Sequence, residues 1–347
     1  MVLVGAVFIM GPASILAGIT NQHPGLHFWV LVVFTYYVMA TMLPIDKLIG
    51  RIYPVFGFAL LFMAAGITIG LLSEGYRIPE LSLPSLQNMH SHPEKFPIFP
   101  MMFISIACGA ISGFHSTQSP MMARCIKNEG LGRRVFYGAM ISEGIVALIW
   151  AAAGMAFFGG VHKLNDVMNS HQGNAAWVVN EISNTLLGKL GGVLALLGVV
   201  AAPITSGDTA FRSARLIVAD FLNVKQKKIL NRLKISLPLF LIGFLLTQLN
   251  FSIIWRYFAW SNQTLAAIVL WTITVYLVRE NKFYWITLLP AVFMTVVTVS
   301  YICVAPEGLH IYITYGYIIG IVVALLIAVM FLVYAYRRNM NKSGQFA

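Results

Sequence analysis

Ten runs of apolar residues, each near the length a helix needs to cross a membrane, follow one another along the chain. They cover residues 1–19, 27–43, 55–73, 97–116, 135–158, 190–207, 235–249, 254–278, 284–303 and 312–335. The connection from Thr20 to Leu26 is short and carries no Lys or Arg, so the first two spans form an antiparallel pair. This pattern predicts an all-α polytopic membrane protein of about ten transmembrane helices. Two stretches differ. From Gly173 to Gly188, Val178, Ile182 and Leu186 recur every fourth position opposite Asn180, Glu181 and Asn184, which predicts an amphipathic helix that rests at the membrane interface, the preferred reading, or covers an outer vestibule. Pro44 stops the second span; beyond it Asp46, Lys47 and Arg51 alternate with Ile45, Leu48, Ile49 and Ile52, either as a segment on the inner membrane face or as a helix-ending turn.

The fourth run is written unlike a lipid-facing helix. Phe96 to Arg124 starts as a span, yet midway it carries Gly109, Gly113, His115, Ser116, Thr117, Gln118, Ser119 and Pro120. Backbone that leaves the helix within a bilayer must find partners in protein or in a water-filled cavity, since each unpaired peptide group there costs several kcal/mol. Broken helices of this kind hold the ligand in secondary transporters. We therefore place a substrate site at Gly113, His115, Ser116, Thr117, Gln118 and Ser119, with an anionic solute on freed N–H groups and hydroxyls. The eighth span opens FSIIWRYFAWSNQT. Its Trp255, Tyr257, Phe258 and Trp260 around Arg256 read as an aromatic belt, whereas Asn262 and Gln263 are suited to line a cavity and bond the solute.

Candidates for coupling are the titratable groups at membrane depth. His115 has the side chain closest to neutrality. Glu143, about ten residues into the fifth span, should face protein or water, as a coupling group or as a structural hydrogen-bond donor. Thr205, Ser206 and Asp208 cluster at the inner end of the sixth span, four residues before Arg212. They are suited to a cation or a proton relay, or to a cap and ion pair that anchors the helix. In the last two spans Thr295, Thr298, Ser300 and Thr314 are helix-packing groups, and these spans read as peripheral.

Composition agrees. The chain is 59% hydrophobic and 10% charged, against about 25% charged in a soluble domain. Its net charge of +11 does not call for nucleic acid. The basic residues gather in alternate connections: Lys47 and Arg51; Arg124, Lys127, Arg133 and Arg134; Arg212, Arg215 and Lys225 to Lys234; Arg279 and Lys282; Arg337, Arg338 and Lys342. The positive-inside rule then puts the C-terminus in the cytoplasm. His90 and His92 in an outer loop lack further ligands at metal spacing, so no metal or other cofactor is expected. No HExxH, GxSxG or P-loop is present, which argues against an enzyme. A starvation sensor or structural membrane subunit is the rival to transport.

The blocks ATMLPIDKLIGRIYPVFG, CGAISGFHSTQSPMMAR, FYGAMISEGIVALIW, TSGDTAFRSARLIVADF and WRYFAWSNQTLA resemble the carbon starvation protein A family of bacterial inner-membrane proteins, in its shorter branch. The resemblance implies import of peptides or small carboxylates such as pyruvate, coupled to protons or sodium, under carbon limitation. It also implies a fold of two inverted five-helix repeats. In that fold residues 1–73 are the remainder of the first repeat, 97–278 the second, and 284–335 two additional helices, with a break after Gly113. Family members begin with further spans, and MVLVGAVFIMGPAS reads as a chain entered partway through a helix.

Overall fold

The computed structural model describes residues 1–20, 22–42, 53–80, 82–171, 173 and 175–343, so the segment after Pro44 lies outside the described residues. Among these, every regular element is helical: α1 Val2–Ile19, α2 Leu26–Met42, α3 Tyr53–Ser73, α4 Ile98–Ala110, α5 Gly113–Cys125, α6 Gly138–Phe157, α7 Val161–Ser170, α8 Ala175–Phe221, α9 Ile229–Leu246, α10 Phe251–Arg279, α11 Trp285–Val304 and α12 Ile313–Ser343, with short 3-10 and π turns between some of them. Among the described residues, six helices are long and apolar enough to cross a membrane, namely α3, α6 with its preceding turns, α9, α10, α11 and α12; α1 and α2 are shorter apolar helices. The chain is a multi-pass, all-helical membrane protein.

Two compact units divide it, Met1–Ser91 with Pro120–Trp255, and His92–Ser119 with Arg256–Ala347. In the first, α1 and α3 both pack along α8. One core joins Met63, Ile67 and Leu71 of α3 to Ala153 and Ala156 of α6 and to Val178 and Ile182 of α8. The stretch read as an interfacial helix is therefore the first part of α8, which bends at Gly188 with φ 62°. Its apolar face is buried in protein rather than resting at the membrane interface. Glycines on α3 make this possible: a Cβ on Gly66 would lie 2.7 Å from Leu187, and one on Gly70 would lie 3.1 Å from Leu186. Outside this core, the loop carrying His90 and His92 is tied to α7 by Asn165, which donates to the Met89 carbonyl (2.7 Å), and by Asn169, which donates to Ser91 (3.3 Å).

A second core gathers Ile9 and Ala13 of α1, Val30, Val33 and Tyr37 of α2, Phe211 of α8 and Phe240 of α9. Pro12 lacks the N–H that the Phe8 carbonyl would accept in a regular helix, and the Tyr37 hydroxyl donates to that carbonyl instead at 2.8 Å. Gly207 makes room for the phenol, since a Cβ there would lie 2.2 Å from the Tyr37 oxygen.

In the second unit α11 is half covered, more than any other candidate span, which overturns its reading as peripheral. Val297 and Tyr301 of α11 pack with Ile104 of α4. Trp260 donates its indole N–H to the Thr298 carbonyl and Trp271 to the Thr295 hydroxyl, both at 3.0 Å. Gly320 lets α12 approach closely, a Cβ there lying 2.2 Å from the Ser300 hydroxyl.

Candidate functional site

The fourth apolar run is broken. α4 ends at Ala110, Ile111 and Ser112 intervene, and α5 begins at Gly113. The break thus precedes Gly113, where the expectation put it after. The glycine serves close approach: a Cβ on Gly113 would sit 2.2 Å from the Asn262 backbone oxygen and 2.8 Å from the Ala266 nitrogen, both on α10. His115, Ser116, Thr117, Gln118 and Ser119 accordingly occupy the first two turns of a short helix rather than unwound chain.

A neighbouring helix caps this half-helix. The Phe114 N–H donates to Asn262 Oδ1 at 2.7 Å, and Asn262 Nδ2 donates to the Ser112 hydroxyl at 3.0 Å. Freed backbone donors at a helix start need such partners. Ser116 and Thr117 turn their hydroxyls back onto the Gly113 and Phe114 carbonyls at 2.6 and 2.7 Å. Pro120 withholds the N–H that the Ser116 carbonyl would otherwise accept. His115 and Gln118 are half-buried, and Gln118 Nε2 is buried without a hydrogen-bond partner. Gln263 is fully buried on α10. The break therefore joins a helix start with partial positive charge, an imidazole and an unused amide donor, an arrangement suited to a polar or anionic solute.

The other predicted residues belong to the first unit. Asp208 is fully buried and pairs with Arg212 at 3.3 Å. Arg212 also donates to the Ala40 carbonyl at 2.7 Å and Arg215 to the Thr41 carbonyl at 2.8 Å, so both arginines satisfy the last turn of α2. Thr205 donates to the Ala202 carbonyl at 2.8 Å, and Thr209 to that of Ser206 at 2.9 Å. This geometry is that of an anchor between α2 and α8. Glu143 lies on an exposed face of α6.

Sequence reasoning missed Glu307, in the connection after α11. Its carboxylate is 3.0 Å from Arg256 Nε, Tyr301 donates its hydroxyl to Oε1, and Tyr257 donates to the Glu307 carbonyl. An acidic residue between two spans reads as solvated. The available signal was the arginine near the start of α10, which at that depth requires an anion.

A family profile described as Carbon starvation protein CstA matches residues 2–149 and 200–301. An uncharacterized membrane protein of Haemophilus influenzae is 43% identical over 157 residues, covering 41% of this chain and 42% of its own. The peptide transporter CstA of Escherichia coli is 23% identical over 343 residues, covering 78% of this chain and 48% of its own. The pyruvate/proton symporter BtsT of the same organism is 37% identical over 93 residues, covering 25% and 13%. The chain thus spans about half, or less, of the length of these three relatives. No solved structure matches it.

Proposed function

Because the chain belongs to the carbon starvation protein CstA family, we propose that it serves secondary transport of a small carboxylate-bearing solute, a peptide or pyruvate, into bacteria through the inner membrane, coupled to a proton or sodium ion. The observation that carries this reading is the break between α4 and α5, where a polar half-helix is capped by Asn262 and leaves the Gln118 amide unused. Gly113, His115, Ser116, Thr117, Gln118 and Ser119 form the solute site, and Asn262 and Gln263 shape it from α10. His115 and, in the first unit, Glu143 are the groups assigned to coupling, while Asp208, held by Arg212, is given the anchoring role together with its neighbours Thr205 and Ser206. The framework is alternating access in a five-plus-five inverted repeat, with residues 97–278 as the second repeat and the C-terminus in the cytoplasm. Relatives named as transporters of peptides and of pyruvate with protons support the solute class.

The test is uptake by the purified chain in liposomes under an inward proton gradient, with labelled pyruvate and a labelled dipeptide in separate arms. Uptake of either above protein-free liposomes is expected. Uptake of neither, with proton and with sodium gradients, overturns the reading.

A further inference from the structure

The Arg256–Glu307 pair has properties that an anchor does not need. The Glu307 side chain is 3% exposed while that of Arg256 is 31% exposed, so solvent reaches the cation and hardly the anion. At 3.0 Å their contact is a charge pairing without a hydrogen bond, because Arg256 Nε and Glu307 Oε2 are both buried and lack a hydrogen-bond partner. Arg212, by contrast, donates to both oxygens of Asp208 and to a backbone carbonyl. Among the described residues, Glu307 is bonded or paired to Arg256 and Tyr257 from α10 and to Tyr301 from α11; His310, in the same connection, is exposed.

These bonds respond unequally to a proton. With a proton on Oε2 the acid is neutral, and Oε1 remains a carbonyl oxygen that still accepts from Tyr301. The Arg256 contact, made of charge alone, is lost. A partly exposed guanidinium without its counter-ion is a strong receptor for another carboxylate, which it can hold bidentately. We propose that Glu307 and Arg256 form an exchange pair, in which protonation of Glu307 releases Arg256 to hold the carboxylate of the solute and loss of that proton takes Arg256 back. One proton then accompanies each carboxylate: an O–H bond forms on Glu307 as the proton arrives and breaks as it leaves, and the solute is chemically unchanged. Glu307 lies beyond the stretch matched by the family profile. The inference rests on reading the chain as a proton-linked carrier and names the shared feature of peptides and pyruvate that it recognises.

The test compares two readouts from the full chain in liposomes with labelled pyruvate: counterflow without any gradient, and accumulation driven by acid outside. For one proton per solute, a gradient of one pH unit drives about tenfold accumulation in the wild type. Glu307→Gln, locked in the neutral form, is expected to keep counterflow and to lose accumulation. Tyr301→Phe removes a neighbouring bond but not the proton site, and is expected to keep both. Accumulation by Glu307→Gln equal to wild type overturns the inference and leaves transport standing, and equal loss in Tyr301→Phe overturns it by making the cluster merely structural. Absence of counterflow in the wild type overturns the transport reading and the inference with it.

Discussion

Gly109 and Gly113 look alike in the sequence, two helix-weakening residues in one apolar run, and the structure separates them. A Cβ on Gly109 meets nothing within 4 Å, whereas one on Gly113 meets the backbone of α10, which cannot swing aside as a side chain would. Gly113→Ala is therefore expected to destabilise by about 1–3 kcal/mol, while Gly109→Ala stays neutral or gains up to about 1 kcal/mol from helix propensity. Thermal melting of the purified variants in detergent checks both, and equal melting temperatures would contradict the tight α5–α10 contact. Local composition reveals that a chain is weakened at such residues. It does not reveal which glycine is pressed against a neighbour, because the neighbour is almost 150 residues away.

The half-helix α5 owes its start to another helix. Asn262 supplies both an acceptor for the Phe114 N–H and a donor for Ser112, so Asn262→Ala removes a cap worth about 1 kcal/mol. Asn262→Asp keeps the acceptor, loses the donor and adds negative charge beside the positive helix end. It should melt closer to wild type than Asn262→Ala, and it should weaken uptake of an anionic solute more than of a zwitterionic dipeptide, read as the concentration giving half-maximal uptake. The hydrophobic runs announced most helices within a few residues, since a bilayer demands long apolar segments. They could not announce how α8 packs. Its amphipathic first part has the periodicity of an interfacial helix, and only the grooves at Gly66 and Gly70 on α3 make protein its destination.

At the scale of the molecule, residues 92–119 group with 256–347 and not with their neighbours in sequence. No local pattern encodes such a division, which is why α11 read as peripheral although it is the best-covered candidate span. The proposed stoichiometry has an electrical signature. One proton with the pyruvate anion carries no net charge, whereas one proton with a zwitterionic dipeptide carries one positive charge inward. Pyruvate uptake is thus expected to ignore the membrane potential. Dipeptide uptake should quicken when the interior is made negative, each 100 mV contributing about 2.3 kcal/mol per charge. Potential-clamped liposomes measure both, and a pyruvate rate that follows the potential would exclude one-to-one coupling.

Arg212 and Arg215 hold the final carbonyls of α2 from their places on α8. To slide past α8, α2 would have to strip two guanidinium groups from the carbonyl oxygens they hold. The two helices are in effect stapled, and a conformational cycle in this unit must carry them as one rod and bend somewhere else.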